Sequence, residues 1–243
     1  MGENKSKKSI LVLLILIAFI LLNGATHGGL YQTLQSLQAT QESHNVSHAN
    51  WYDTLPPYNG NPYTEVNHNV PFFTKEDYAR KDVFEEYSPL DSLGRCGVAY
   101  ASICDELLPT EERGDISKVK PSGWKQNKIH GKFVWQRCHL IGYQLAGEND
   151  NEKNLVTGTA FFNVSGMLPF ENTVRDYVNT HPFKKVLYRV TPVFEDNELV
   201  CRGVLMEAAS MSDHGYEVSF NVFVWNVSDD FAINYKTGET KAY

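Results

Sequence analysis

The stretch Lys132-Phe133-Val134-Trp135-Gln136-Arg137-Cys138-His139-Leu140-Ile141-Gly142 decides how this chain is read. The run from Lys132 to Gln136 carries β-branched and aromatic side chains that suit a pleated, half-buried surface, so it predicts a short strand. His139 then stands at the strand's end, where functional side chains are often displayed, although a histidine there is more often a satisfied structural residue. Neighbours on an extended strand point to opposite faces, so Cys138 and His139 cannot act as a pair. A dyad of Cys138 with a distant histidine remains as a weaker reading, that of a cysteine-dependent hydrolase.

Downstream, the polar stretch Glu148-Asn149-Asp150-Asn151-Glu152 leads to a predicted helix from Pro169 to Thr180. Pro169 suits a first turn, and Phe170, Val174, Tyr177 and Val178 share one face. Beyond it, Val186 to Phe194, Leu199 to Met206 and Val218 to Val227 read as strands, the first two joined around Glu195-Asp196-Asn197. Helices and strands segregate instead of alternating as βαβ units, so the fold class is α+β with an antiparallel sheet.

Upstream, the chain turns globular at Val70. Residues 26–69 are rich in Gln, Ser, Asn and His and carry the turn signals Pro56-Pro57, Asn59-Gly60 and Pro62, so they read as a polar surface arm. Residues 1–25 are different again: Lys5, Lys7 and Lys8 precede thirteen apolar residues, Ile10 to Leu22, followed by Asn23-Gly24-Ala25. Thirteen helical residues reach about 20 Å, short of the roughly 30 Å hydrocarbon core, which favours a cleaved export signal over an uncleaved anchor. Either way the remainder, with its domain at 70–243, is expected outside the cell.

The chain has 243 residues, 42% of them hydrophobic and 21% charged, enough for one sizeable core; this excludes disorder, collagen and a polytopic membrane protein. Its net charge of -7 falls to -9 once the segment holding Glu3 and three lysines is removed. Bulk electrostatic attachment to phosphates needs Lys and Arg, so any nucleic-acid chemistry must be local. Cys96, Cys104, Cys138 and Cys201 would allow three pairings in an oxidising compartment, and a core this size is equally compatible with four free thiols. No CxxC spacing or His-x3-His partner points to structural zinc. Six of the eight histidines lie in polar or turn surroundings, leaving His130 and His139 beside the predicted strand.

Read together, Gln136-Arg137-Cys138-His139-Leu140-Ile141-Gly142, Asn154-Leu155-Val156-Thr157-Gly158-Thr159, Asn163 and Glu171 resemble the DNA/RNA non-specific endonucleases, a ββα-metal or His-Me finger family. The likeness is greatest to secreted streptococcal DNases of the streptodornase or mitogenic-factor type and extends from about Tyr87 to the C-terminus. Ser88 to Arg95 and Pro121-Ser122-Gly123-Trp124 also look like that branch. The first motif departs from the family's Asp-Arg-Gly-His, with Gln136 for Asp and Cys138 for Gly, which raises the question of what anchors Arg137.

The resemblance implies a ββα-metal nuclease core, a central antiparallel sheet with flanking helices, and hydrolysis of DNA, with RNA as a second substrate, to products carrying 5′-phosphates. It implies Mg²⁺ as cofactor, with Mn²⁺ or Ca²⁺ in support; the protein is further expected to be a monomer and, once the export signal is cleaved, to have no stable membrane association. A phosphodiester is anionic and unreactive, so its hydrolysis needs a base, a cation and help for the leaving oxygen. His139 is the base, since neutral imidazole serves near neutral pH. Asn163 is the metal ligand, because Mg²⁺ keeps most of its waters and needs few protein donors. Glu171 matches the family's active-site Glu; read alone, it is a helix-start acid facing Arg175 at i+4. Arg137 is a donor to phosphate, or else an ordinary surface ion pair. Arg95, Arg113, Lys118 and Lys120 read first as a solvated face. The competing function is a secreted, host-directed binding protein on the same fold with an inactive site.

Overall fold

In the computed structural model, residues 50–243 are described; the export segment and the arm up to residue 49 lie outside the described residues. The strands are β1 (Tyr63–Glu65), β2 (Glu85–Tyr87), β3 (Ala99–Ile103), β4 (Lys128–Ile129), β5 (Lys132–Phe133), β6 (Gln136–His139), β7 (Leu155–Gly158), β8 (Val186–Val193), β9 (Gly203–Ser210), β10 (Ser219–Trp225), β11 (Phe231–Asn234) and β12 (Glu239–Ala242). The helices are α1 (Lys75–Ala79), α2 (Tyr143–Ala146) and α3 (Leu168–Thr180), the last entered through a π-helical turn at Phe161–Met167.

Alternation along β9 explains the layering. All eight of its residues are buried, because the sheet is covered on both faces. Val204, Met206 and Ala208 face a core shared with Val174 and Val178 of α3, whereas Leu205 joins Phe223, Val66 and Phe72 on the other face. Each of these side chains larger than alanine contributes about 1.5–3 kcal/mol through burial. The six-stranded sheet runs β1-β10-β9-β8-β3-β2, antiparallel throughout. The α+β class and the antiparallel sheet with flanking helices are therefore those the sequence implies. A separate antiparallel pair, β6 with β7, sets His139 opposite Leu155 and Gln136 opposite Gly158. This pair followed by α3 is the ββα unit.

Three sequence expectations need correction. The strand expected over Lys132 to Gln136 is broken in two, with β4 and β5 forming a hairpin around His130 (φ 50°) and Gly131 (φ 78°). Trp135 then turns inward; its backbone is held by the Gln126 amide at 3.0 and 2.7 Å, and its indole N–H donates to Gly238 O at 3.1 Å. A buried indole requires such a partner, and finding one ends the strand. The chain also joins the domain before Val70: β1 pairs with β10, and Trp51 and Tyr52 pack on Phe223. Aromatic anchors were hidden there among polar residues. The strand expected over Leu199 to Met206 runs instead over Gly203–Ser210, because Leu199 and Val200 donate their N–H groups to Tyr235 O and Val200 packs in a third cluster with Trp135 and Phe231.

All four cysteines are buried and free. Cys138 lies in the main core, and burial first of all pushes its thiol well up, with Cys201 and Glu171 adding to the shift. Enclosed in the core, its sulfur is out of reach of a substrate, which removes the cysteine-hydrolase reading.

Candidate active site

His139 closes β6 with its ring almost covered. Its Nε2 lies 2.7 Å from Asn149 O. A carbonyl only accepts, so Nε2 carries the proton and Nδ1 keeps its lone pair. Arg113 Nη2 stands 3.4 Å from that Nδ1. Burial pushes the imidazole below the usual 6.5, the Asn149 carbonyl opposes this, and the Arg113 charge lowers it further. The ring thus turns its acceptor nitrogen toward a guanidinium, and both burial and that charge disfavour the cationic imidazolium.

His139 lines one cavity of about 330 Å³ together with Arg137, Asn163, Glu171, Arg113 and Gln144. All four sequence-assigned side chains thus meet, although they span 35 positions of chain. Arg137 needs no acid to hold it: its Nε donates to Val119 O, its Nη2 to Ser117 O at 2.7 Å, and its guanidinium lies 4.1 Å from the Trp124 ring centroid. It is not an ordinary surface ion pair. Arg80, Arg95, Arg175, Arg189 and Arg202 each hold a carboxylate. Among the described residues, the two arginines without an acid in ion-pair contact are Arg113 and Arg137, and both line this cavity. Two guanidinium charges without an ion-pair partner in one cavity suit an anionic oxygen-rich ligand such as a phosphate.

Asn163 sits within the π-helical turn, whose i to i+5 spacing is seen where the Leu168 N–H donates to Asn163 O. Such turns are frequent at functional sites because they re-aim a side chain. The Asn163 Nδ2 donates to Gln136 Oε1 at 2.8 Å, which leaves Oδ1 as the amide's acceptor for a ligand. Glu171, in the first turn of α3, is only 7% exposed, and burial raises its carboxyl from 4.5 to about 7, opposed by Gln144 and Arg113. Gln144 Nε2 donates to Glu171 Oε2 at 3.3 Å and to Asn172 Oδ1 at 3.2 Å, while its Oε1 accepts from Arg175 Nη1 at 2.6 Å. The i+4 pair with Glu171 does not form, since Arg175 bonds Asn172, Asp176 and Gln144 instead. Gly142 makes room for the carboxyl: a Cβ there would lie 2.6 Å from Glu171 Oε2.

Residues 75–212, more than half of the chain, match the family described as DNA/RNA non-specific endonuclease. The chain belongs to that family. It is 32% identical over 117 residues to a deoxyribonuclease of Streptococcus dysgalactiae subsp. equisimilis, an alignment covering 46% of this chain and 35% of that relative, so the chain spans about a third of the relative's length. The fold is similar to that of NucA from Streptococcus agalactiae, solved with a magnesium ion bound, at TM-score 0.69 and 28% identity, covering 85% of this chain and 96% of NucA. It is also similar to Sda1 nuclease, solved with a bound zinc ion, at TM-score 0.64 and 25% identity, covering 75% and 97% of the two chains.

For a member of this endonuclease family, the donor set decides which cation fits. No group of three or more His, Cys, Asp or Glu side chains able to hold a metal occurs among the described residues. Hard oxygen donors on offer are the Asn163 amide and the Glu171 carboxyl, both lining the cavity. Few hard donors suit a cation that retains most of its water, such as Mg²⁺, and not a closed zinc site. Sequence reasoning placed Arg113 on a solvated face and passed over Gln136 and Gln144 as site residues. Arg113 lies 26 positions before His139 in an irregular loop, positioned where Tyr143 Oη donates to Glu111 O at 2.8 Å and Gly114 abuts Asn149. No spacing rule could have found it. His130, by contrast, is at the exposed hairpin tip, away from the cavity.

Proposed function

We propose that this protein is an exported, metal-dependent endonuclease that hydrolyses phosphodiester bonds of DNA, and of RNA as a second substrate, with little sequence preference. The observation that carries the reading is the His139 arrangement: Nε2–H fixed on Asn149 O, and Nδ1 facing Arg113 inside a cavity lined by Arg137. In this role Arg113 exchanges its contact with Nδ1 for the phosphate, and the freed Nδ1 lone pair takes the proton of the attacking water, which neutral imidazole does near pH 7. Arg113 and Arg137 hold the phosphate oxygens in line with that water, and their charge favours the transition state, where negative charge on those oxygens grows. Asn163, with Glu171 beside it, would hold Mg²⁺. When bound, the ion supplies positive charge to the phosphoryl and leaving oxygens. Glu171 keeps its place through Gln144 and Gly142.

The similarity to streptococcal nucleases and to a protein named a deoxyribonuclease supports nucleic acid as substrate. Magnesium in NucA supports Mg²⁺ here. Export, action as a monomer and release from the membrane rest on the N-terminal sequence pattern and the family likeness. The test is incubation of the purified protein with supercoiled plasmid and with RNA in Mg²⁺, with and without EDTA. Nicking and linearisation abolished by EDTA are expected, with 5′-phosphorylated products; intact plasmid in both Mg²⁺ and Mn²⁺ would reject the reading in favour of a binding protein.

A further inference from the structure

We infer that Gln136 is a positioning residue that sets which atom of the Asn163 amide faces the cavity, and through it the affinity of the site for a divalent cation. The inference rests on the reading of Asn163 as metal ligand. An asparagine amide is two-faced: turned by 180° it offers a cation either a carbonyl oxygen or a repelling NH₂ group. Nothing in the Asn163 backbone chooses between them, since the last side-chain torsion of asparagine is broad. A neighbour that accepts from the NH₂ group favours the turn that leaves the oxygen to the cavity.

That neighbour is Gln136, whose Oε1 accepts from Asn163 Nδ2 at 2.8 Å. Gln136 opens β6 opposite Gly158, whose missing side chain lets Phe162 and Cys138 close in, a Cβ there falling 2.4 and 2.6 Å from them. The two amides are half-buried, so water competes weakly for the bond. Arg137, the next residue, is held by Ser117 and Val119, and His139 by Asn149, which keeps the strand end in place. A carboxylate at position 136 could only accept and would pin Asn163 the same way. Gln136 does so without charge, leaving Glu171 as the one carboxyl group lining the cavity. Gln136 therefore orients the ligand without adding to the attraction.

Partners behind metal ligands are commonly worth 10- to 100-fold in metal affinity. The test is Mn²⁺ binding to the full chain, without nucleic acid, followed by electron paramagnetic resonance for wild type, Gln136→Met, Gln136→Glu, Asn163→Ala and the Gln136→Met/Asn163→Ala double variant. Near-UV circular dichroism confirms packing in each. Gln136→Met is expected to weaken binding about 10-fold and Gln136→Glu to bind at least as tightly as wild type, because its oxygens accept the same N–H and add negative charge. The double variant should match Asn163→Ala, since a positioning residue has nothing left to position. If Asn163→Ala weakens binding while Gln136→Met leaves it unchanged, this inference fails and the ligand reading stands. If Asn163→Ala binds Mn²⁺ like wild type, the ligand reading itself falls. Should Gln136→Met not fold, Gln136→Glu decides alone: a loss of 10-fold or more overturns the inference.

Discussion

Replacing Gly142 by alanine adds a single methyl group, and the structure fixes where it must go. Gly142 has φ -58° and ψ 143°, a backbone that alanine adopts freely, so the change costs nothing in the main chain. The new Cβ would lie 2.6 Å from Glu171 Oε2, 2.7 Å from its Cδ and 2.9 Å from its Oε1. Ordinary contact requires the carboxyl to retreat by roughly an ångström. Glu171 is 7% exposed, so its carboxyl cannot swing into solvent without disturbing the bond from Gln144. Overpacking of this kind costs about 1–3 kcal/mol of stability. A misplacement of about 1 Å in a site costs on the order of 100-fold in rate. The expected outcome is a folded variant, up to about 3 kcal/mol less stable in urea melts, with kcat on duplex DNA at saturating Mg²⁺ down about 100-fold. In a Glu171→Ala background the same methyl should cost nothing further. A folded Gly142→Ala with wild-type kcat would refute the claim that the position of Glu171 matters.

Glu171 also sets a pH dependence of stability. Its carboxyl is raised from 4.5 to about 7, so the native state binds the proton more tightly and stability is lost as pH rises through that window. Glu171→Gln in EDTA at pH 8 should therefore be more stable than wild type by up to about 3 kcal/mol in urea melts, while losing nuclease activity; unchanged stability would mean that the carboxyl carries no such strain. At saturating Mg²⁺, where the cation would keep Glu171 ionised, kcat/KM should rise with pH through a midpoint below 6.5, because His139 is held below that value. Arg113→Ala should move this midpoint upward and lower kcat/KM by about 10- to 100-fold, the worth of a hydrogen bond to a charged group; an unmoved midpoint would place Arg113 outside the site. Because cations free of acids in the cavity are few, DNA binding by an inactive variant at fixed Mg²⁺ should show a log–log salt slope of about -1.8 to -3.6, equivalent to two to four phosphates, and a slope implying eight or more would contradict a local site.

The parts of this site that could be read from sequence share one property: their surroundings are local. His139 ends a strand and Glu171 begins a helix, and both elements show in the spacing of nearby apolar residues, so α3 was expected within one residue of its observed start. The β8 to β10 alternation is equally local, and gave the antiparallel sheet. What stayed hidden depends on distant partners. The break at Trp135 is made by Gln126 and Gly238, the early strand β1 by β10, and the anchoring of Arg137 by carbonyls 18 and 20 residues upstream. Arg113 reads as one charge in an acidic loop, and only folding brings it to the ring of His139. The role of Gln136 is concealed for a further reason: a polar residue on a strand carries no sign of the amide it meets.

The measurement that bears most directly on the central claim is the single-turnover cleavage rate of His139→Ala on duplex DNA at saturating Mg²⁺, with packing verified by near-UV circular dichroism. With the base removed and the cavity otherwise intact, the rate is expected to fall by about 10²- to 10⁴-fold, the usual worth of general base catalysis, and added imidazole should restore part of it. A well-packed His139→Ala protein that cleaves at the wild-type rate would contradict the account.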